Sequence, residues 1–473
     1  MDLLIGDVFR NAARAVPRRP AAMLGDHALT FGELDRRANR VARVLASCGV
    51  GHRDRVLVQA ATSLDVVPVF VALAKLGAVY VPANPAFRGD ELDAIAAAAA
   101  PALVVTDRPL AGAVELGELI TRAAGHDDAD VVEPRLGERD PHVVFFTSGS
   151  SGAPKGAVLS HRVNFLRSHP GALLEPRGAM VCPYPLFHMG AWTIALQQWQ
   201  ARDAVVLVDS ADAATISTAV ARSGATRLNA IPGVWRRLLD HGTRELSSVR
   251  FADTGTSATP ISLLQELANA LPDAQLRVFY GSTEAGSVAS LAHADAFRKP
   301  GSCGVPAPST TVRVAADGEL WVTGPLLFDG YLDADATAAA LADGWYRTGD
   351  LAEVDDEGYL SIVGRVGEVI RTGGETVAPS EVESVIVAMP GVRDAAVVGV
   401  PDVQWGEVVC AVVVLDPGAP APTVADVREH CRARLAAFKH PRRVEVAASI
   451  PRTAATNQVQ RGLLLESLSC PGS

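Results

Sequence analysis

The segment FFTSGSSGAPKGAVLSH, residues 145–161, contains hydroxyls, glycines and one lysine between two apolar stretches. Glycines let a backbone turn where a Cβ would clash, so N–H groups and hydroxyls can converge on phosphate oxygens while a lysine adds positive charge. The residues that fit this chemistry are Thr147, Ser148, Gly149, Ser150, Ser151, Gly152, Lys155 and Gly156. The spacing predicts a loop that binds polyphosphate.

Two other interpretations of this loop are weaker. The Walker loop ends in Gly-Lys-Ser/Thr, whereas the order here is Pro154-Lys155-Gly156. A flexible Ser/Gly linker would not be bracketed by apolar segments such as 143–146 and 157–159, which have the composition of buried strands. The loop alone does not distinguish a kinase from a ligase.

Other short motifs follow the loop along the chain. They are PLFH at 185–188, YGSTE at 280–284, YRTGD at 346–350, GR at 364–365 and GGE at 373–375. With LTFGELDRRANRVARVL and GAVYVPANP upstream, the chain resembles the adenylate-forming superfamily of acyl-CoA synthetases, nonribosomal-peptide adenylation domains and luciferases, over nearly its whole length. The resemblance implies an ATP-dependent CoA ligase for a carboxylic acid, with a fatty acid preferred. It would act through acyl-AMP, release pyrophosphate and use ATP, Mg²⁺ and coenzyme A.

The resemblance also assigns roles on the nucleotide side. Attack of a carboxylate on the α-phosphorus of ATP brings negative charges together, and cations and N–H donors must offset them. Lys155 would close over the β- and γ-phosphates, Thr283 would contact the α-phosphate and Glu284 would hold Mg²⁺. Further contacts to the nucleotide would come from Tyr280 against adenine, Gly281, Ser282, Asp350 on the ribose and Arg365. Without the other motifs, a Thr-Glu pair would be interpreted as the start of a helix and Thr-Gly-Asp as a β-turn.

The acyl pocket, by the same resemblance, would be lined by His188 and Trp192, with Gly255 on its floor. Some long-chain synthetases of the family carry a gate tryptophan four residues after the histidine, and this supports the fatty-acid preference. The alternatives are a core histidine and a tryptophan that only packs.

The second half-reaction would use the small C-terminal domain. Gly367 stands at the family's hinge position, where Asp or Lys is usual, and glycine suits a residue that absorbs a large backbone change. Gly373 and Gly374 would leave room for the pantetheine arm of CoA. The chain departs from the family near its end, because Gln458 occupies the position of a lysine that stabilises charge during adenylation.

That replacement leaves three hypotheses open. A missing charged donor predicts adenylation weakened by about 10²–10³-fold, with Lys439 and Arg461 as nearby substitutes. The chain is then an active or weakened CoA ligase with Lys155, Thr283, Glu284, His188 and Gln458 as its catalytic candidates. The alternatives are a pseudoenzyme that holds ATP or acyl-AMP, and a ligase that loads a separate carrier protein.

The elements that must position these residues alternate between strand and helix. Strands are predicted at 55–60, 78–81, 103–106, 205–208, 227–231, 250–253 and 276–280, with helices at 66–76, 210–222 and 260–271 among them. This rhythm predicts an α/β fold of parallel sheets covered by helices, followed by a small β module. We expect an adenylation domain over residues 1–366 and, by resemblance, a mobile α+β lid domain over residues 367–473.

Bulk properties exclude several classes. The 473 residues exceed one core, and a net charge of −10 disfavours nucleic-acid binding. Six cysteines without a Cys-x-x-Cys pair predict neither a disulfide framework nor a zinc site, and a cytoplasmic location fits. The apolar run 66–74 is too short for a membrane span, which leaves peripheral contact open. We expect a monomer or homodimer.

Overall fold

The computed structural model describes residues 2–148, 154–169, 178–373, 375–432, 434–453 and 458–469. Among the predicted site residues, Gly149, Ser150, Ser151, Gly152 and Gly374 lie outside this part of the chain. The chain forms two compact units. The first comprises residues 1–300, 306–311 and 322–346, and the second comprises 301–305, 312–321 and 347–473. The hinge at Gly367 concerns a movement and stays a prediction.

The first unit is α/β, as the sequence predicted. Its helices are Ile5–Ala15, Phe31–Ser47, Val66–Leu76, Asp90–Ala99, Leu116–Ala123, His161–Ser168, Met189–Gln200, Ala213–Ser223, Pro232–His241, Ile261–Ala270 and Ala334–Ala340. The helix Val66–Leu76 has the predicted bounds because Gly77 ends it in the left-handed conformation, with φ of +66°.

One sheet of the first unit carries the later motifs. Its strands, in spatial order, are Gly286–Leu291, Gln275–Ser282, Phe251–Gly255, Arg227–Asn229, Met180–Cys182, Val205–Leu207, Pro20–Leu24 and His27–Thr30. The inner neighbours pair in parallel, and Gly286–Leu291 and His27–Thr30 are antiparallel to their neighbours. Parallel strands place their carboxyl ends at one edge, where ligands bind in such folds.

The other sheet of the first unit carries the strands on either side of the predicted phosphate loop. Its strands, in spatial order, are Gly330–Tyr331, Pro154–Ser160, Pro141–Ser148, Val79–Pro82, Arg55–Gln59, Leu103–Thr106 and Val114–Glu115. Pro141–Ser148 and Pro154–Ser160 form an antiparallel hairpin, so residues 149–153 connect two paired strands. Buried Leu57, Val79, Val81 and Val144 pack one face of this sheet against Leu92 and Ile95.

The second unit contains the strands Leu360–Arg365, Ile370–Thr372, Glu375–Val377, Val392–Asp402, Gly406–Leu415 and Arg443–Val446 and the helices Pro379–Ile386, Val424–Arg432 and Arg461–Ser469. The last five of these strands form one sheet, and both of its faces are covered. Val409, Ala411 and Val413 belong to a core that includes the first two helices, whereas Cys410, Val412 and Val414 pack with Leu464 of the last helix. Burial on both faces explains why the strand Gly406–Leu415 is almost continuously apolar.

The strands Glu319–Thr323 and Trp345–Val354, with Thr311–Val314, correspond to the β module predicted after residue 300. Among the described residues, no helix combines the length and the apolar character needed to cross a membrane.

Candidate functional site

Lys155 lies in a strand and not in the loop to which its motif assigned it. In the hairpin, Lys155 is the register partner of Thr147, so both side chains occupy fixed positions next to the loop. The ammonium nitrogen of Lys155 lies 5.6 Å from the centroid of the Tyr331 ring. This contact keeps a positive charge beside Thr147, at the end of the hairpin where its two strands are connected.

The YGSTE motif begins inside a strand that continues two residues beyond its predicted end at Tyr280. Tyr280, Gly281 and Ser282 end the strand Gln275–Ser282, and Thr283 and Glu284 lie in the turn to Gly286–Leu291. A Cβ on Gly281 would lie 2.1 Å from the carbonyl oxygen of Gly286, so glycine is required for the two strands to meet. The Ser282 hydroxyl accepts the N–H of Ala285 at 3.0 Å and closes the turn.

The Glu284 carboxylate is held by two hydroxyls. Its Oε1 atom accepts hydrogen bonds from Thr147 Oγ1 at 3.2 Å and from Tyr331 OH at 2.9 Å. Burial, with the charge of Glu284 added to it, raises the pKa of Tyr331, so the phenol keeps its proton and donates. The motif of residues 145–161 and the YGSTE motif therefore meet at one carboxylate. Tyr331 was not among the sequence candidates, because a single tyrosine in FDGYL carries no spacing signal.

The donor set at Glu284 fits Mg²⁺. Glu284 is 7% exposed, and its Oε2 atom has no hydrogen-bond donor among the described residues. Within the same part of the chain, no cluster of three His, Cys, Asp or Glu could form a metal cage. Mg²⁺ is typically held by one or two carboxylates together with substrate phosphates and water. Glu284, a single oriented carboxylate beside Thr147, is a residue that would hold such an ion, with phosphate and water completing its ligands.

His188 and Trp192 differ in their surroundings. His188 precedes the helix Met189–Gln200, its Nε2 atom is buried without a hydrogen-bond partner, and burial lowers its pKa to about 4. Trp192 is 2% exposed, stacks on Phe70 with ring centroids 3.9 Å apart and donates from Nε1 to the carbonyl of Leu186 at 2.6 Å. These are the contacts of a packing side chain, so the gate interpretation of Trp192 gains no support from this geometry.

A polar pair lies at the carboxyl edge of the first sheet. Tyr184 follows the strand Met180–Cys182, and its hydroxyl lies 2.8 Å from Oδ1 of Asn229, the last residue of the neighbouring strand Arg227–Asn229. Gly255 ends the next strand, and a Cβ on it would lie 2.3 Å from the carbonyl oxygen of Phe279. The sequence singled out Gly255 and missed the pair, because only the sheet brings Tyr184 and Asn229 together.

Asp350 and Arg365 form an ion pair in the second unit. They are register partners on adjacent antiparallel strands, and Arg365 Nε donates to Asp350 Oδ1 at 2.8 Å. Asp350 is 6% exposed, and its N–H donates to Thr348 Oγ1 at 3.0 Å. Asp350 of the YRTGD motif and Arg365 of the GR motif are therefore joined in one ion pair, although the two motifs are separated along the chain.

The two glycine positions of the second unit differ. Gly367 is exposed, and a Cβ there would meet nothing within 4 Å. Gly373 has φ of +60°, and a Cβ on it would lie 2.7 Å from the Trp405 ring. Gly373 is therefore required by the local fold, whereas any requirement for glycine at 367 must come from another conformation.

Gln458 is paired with Thr453, and its side chain is exposed. Its N–H donates to Thr453 Oγ1 at 3.0 Å, and its carbonyl accepts from the N–H of Thr453 at 2.8 Å. Both candidate substitutes for the missing lysine are engaged in the second unit. Lys439 donates to both carboxylate oxygens of Glu381 at 2.6 Å, and Arg461 pairs with Glu368 at 2.6 Å and Glu383 at 2.7 Å.

Parallel sheets covered by helices and followed by a small α+β unit are the architecture that the motifs predicted for an adenylate-forming enzyme. The profile of the AMP-binding enzyme family matches residues 9–332, and that of the AMP-binding enzyme C-terminal domain matches residues 381–456. The chain belongs to the AMP-binding enzyme family, and it is of the AMP-forming acyl-CoA ligase type. ATP, Mg²⁺ and CoA are the substrates and cofactor of this type.

Similar proteins act on different acids. The long-chain-fatty-acid–CoA ligase FadD13 of Mycobacterium tuberculosis is 31% identical, and the match covers 98% of each chain. The feruloyl-CoA synthase of an Amycolatopsis species is 35% identical over 93% of this chain and 94% of its own. Among solved structures, o-succinylbenzoate CoA synthetase MenE of Bacillus subtilis with ATP and magnesium has a TM-score of 0.87 and 26% identity, covering 97% of this chain and 98% of its own.

Proposed function

We propose that this chain joins a carboxylic acid to CoA in two steps and that Glu284, Thr283 and Lys155 serve the first. The observation that carries the assignment is the Glu284 carboxylate, whose Oε1 is held by Thr147 and Tyr331 while Oε2 remains for Mg²⁺. Lys155 supplies positive charge for the triphosphate from the adjacent strand. These groups are in place before the substrate arrives, so little reorganisation opposes the charge that develops on phosphate.

Asp350 and Arg365 take the ribose side in this proposal. A carboxylate accepts hydrogen bonds from two vicinal hydroxyls, and the paired arginine orients Asp350. Gly367 is the proposed hinge, and Gly373 with Gly374 lines the proposed path of the pantetheine arm. The adenylation step is proposed to be slow, because Gln458 brings no charge and the two candidate substitutes, Lys439 and Arg461, are paired with carboxylates.

A fatty acid is the first candidate for the acid. The relative named as a long-chain-fatty-acid–CoA ligase, which matches this chain over almost its full length, supports this choice. An aromatic acid is the second candidate. Trp192 packs as a core residue, which weakens the argument for a fatty acid. Tyr184 and Asn229 provide hydrogen-bonding groups, which a hydroxylated aromatic acid could use and an alkyl chain could not. The relative named as a feruloyl-CoA synthase agrees with the second choice.

Acid-dependent ATP–pyrophosphate exchange tests the proposal. The panel runs from acetate through C16 acids to hydroxylated aromatic acids, followed by detection of thioesters with CoA and with a phosphopantetheinylated carrier protein. We expect exchange with one acid class, thioester formed on CoA, and exchange at least about 10²-fold lower in Glu284→Gln. ATP binding without exchange for any acid would indicate a pseudoenzyme, and thioester on the carrier alone would indicate a carrier-loading ligase.

A further inference from the structure

A buried arginine in the helix His161–Ser168 holds three backbone carbonyls. Arg167 is 6% exposed, and its Nε, Nη1 and Nη2 atoms donate to the carbonyl oxygens of Leu326, Thr283 and Glu284, each at 2.8 Å. A planar guanidinium offers donors in a rigid fork, so three simultaneous bonds fix the carbonyls relative to one another. None of the sequence motifs includes Arg167.

The three carbonyls belong to segments that form the Glu284 site. Thr283 and Glu284 are the turn itself, and Leu326 begins the segment that leads to Tyr331. The N–H of Phe328 also donates to the Glu284 carbonyl at 2.7 Å, so this carbonyl accepts two hydrogen bonds. Arg167 therefore fixes both the backbone of Glu284 and the segment whose tyrosine binds the Glu284 carboxylate.

The turn is built around this guanidinium. Gly286 has φ of +70°, and a Cβ on it would lie 2.9 Å from Nε of Arg167, so only glycine leaves room for the arginine. Burial lowers the pKa of Arg167 to about 10, and the negative charges of Glu284 and Asp329 act in the opposite direction. Arg167 thus stays charged at neutral pH, and its bonds to the carbonyls are charge-assisted.

We propose that Arg167 is a positioning residue for adenylation, which acts by fixing the Thr283–Glu284 backbone so that Glu284 Oε2 meets Mg²⁺ in one place. The inference rests on the proposed function, because it takes Glu284 as the magnesium ligand. A role in folding alone would change stability, whereas a positioning role also changes metal affinity in the folded enzyme.

The test compares Arg167→Met, Arg167→Lys and the control Arg162→Met in the full chain. Arg162 lies on the same helix, is 40% exposed and pairs with Glu138. Mn²⁺ serves as the probe for Mg²⁺, and its binding is measured by electron paramagnetic resonance in the presence of ATP. The affinity for ATP without metal, the melting temperature and the rate of pyrophosphate exchange are measured for the same variants.

We expect Arg167→Met to weaken Mn²⁺ binding at least tenfold and to lower exchange about 10²-fold, with ATP affinity in the absence of metal within twofold of the parent chain. Arg167→Lys keeps the charge but has fewer directed donors. We therefore expect its Mn²⁺ affinity and its exchange rate to lie between those of Arg167→Met and the parent chain. Guanidinium ion added to Arg167→Ala should restore part of the Mn²⁺ affinity.

Two results separate this inference from the proposed function. If Glu284→Gln loses Mn²⁺ binding while the folded Arg167 variants keep it within twofold of Arg162→Met, the inference about Arg167 is overturned and the proposed function stands. If the parent chain itself shows neither ATP-dependent Mn²⁺ binding nor exchange, both are overturned. If Arg167→Met does not fold, the other two variants decide. The inference is overturned if Arg167→Lys keeps Mn²⁺ binding within twofold of Arg162→Met and guanidinium ion leaves the Mn²⁺ affinity of Arg167→Ala unchanged.

Discussion

The hydroxyl of Tyr331 donates a hydrogen bond to Oε1 of Glu284 at 2.9 Å, across 47 residues of the chain. The same tyrosine ring lies 5.6 Å from the ammonium nitrogen of Lys155. One aromatic side chain thus contacts both the carboxylate proposed for the metal and the cation proposed for the triphosphate. This arrangement makes Tyr331 a residue whose two functions, hydrogen bonding and ring contact, can be separated by substitution.

Tyr331→Phe keeps the ring beside Lys155 and removes only the hydroxyl. A hydrogen bond to a charged group contributes about 1.5–3 kcal/mol, so we expect the KM for Mg²⁺ in pyrophosphate exchange to rise about tenfold or more. Lys155 should be unaffected, so the KM for ATP at saturating Mg²⁺ should change less than twofold. Tyr80→Phe is the control, because it removes a buried tyrosine hydroxyl of the same unit that makes no hydrogen bond to Glu284 in this structure. Equal effects of the two variants would contradict the role given to the Tyr331 hydroxyl.

Arg461 supports a stability prediction for the second unit. Its guanidinium pairs with Glu368 and Glu383 and donates to the carbonyl of Val397 at 3.2 Å. Glu383 is largely buried, and burial raises its pKa, so removing Arg461 leaves a desolvated carboxylate without its cation. We expect Arg461→Met to destabilise this unit by about 3 kcal/mol, measured as a lower midpoint of urea unfolding.

The control for that experiment is Arg432→Met. Its ion pair with Glu429 is exposed, with side chains 71% and 68% accessible, and exposed pairs contribute little. A midpoint shift in Arg461→Met no larger than that of Arg432→Met would show that the buried pair does not stabilise the unit.

Much of the fold could be predicted from local pattern. The helix Val66–Leu76 and the strand Leu103–Thr106 have their predicted bounds, because an apolar run between charged or turn residues defines each of them. Strand ends near the site were predicted less well. Tyr280 to Ser282 continue a strand because Gly281 allows the close approach of Gly286, a requirement that only the paired strand reveals.

The site was predictable only where a motif resembled a family. Thr147, Glu284, Asp350 and Arg365 were named from motifs, and the structure pairs them as Thr147 with Glu284 and Asp350 with Arg365. Tyr331 and Arg167 were missed because their partners lie 47 and 116–159 residues away, beyond any local periodicity. The gate role of Trp192, suggested by its position in a motif, stays a prediction, and its neighbours in the structure are core aromatics.

Buried histidines predict how stability depends on pH. The N–H of Ile5 donates to Nδ1 of His161 at 3.2 Å, so the ring is neutral with its proton on Nε2. Burial lowers the pKa of His161 to about 3, and burial with the neighbouring His161 lowers that of His142 well below its usual value. In the unfolded chain both titrate near 6.5, so unfolding takes up protons below that pH and folded-state stability falls as pH decreases from about 6.5.

The melting temperature measured from pH 7.5 to 5.0 tests this dependence. Each histidine that stays neutral in the folded state contributes a slope of up to about 1.4 kcal/mol per pH unit below pH 6.5. His161→Gln can still accept the N–H of Ile5 but takes up no proton, so its melting temperature should fall less steeply with acidification than that of the parent chain. An unchanged slope would mean that His161 does not carry this dependence.

Gln458→Lys tests whether the replaced lysine limits adenylation. The Gln458 side chain is exposed, so a lysine fits without displacing packed atoms and the melting temperature should not change. Lys439 and Arg461 are bound to carboxylates, so neither already supplies the charge that a lysine at position 458 would add. We therefore expect acid-dependent pyrophosphate exchange to rise about 10²–10³-fold. Gln460→Lys adds the same charge two residues away, on another exposed side chain. An increase no greater than that of Gln460→Lys would reject the role assigned to position 458, whereas a specific increase would show that the chain retains the rest of an adenylation site.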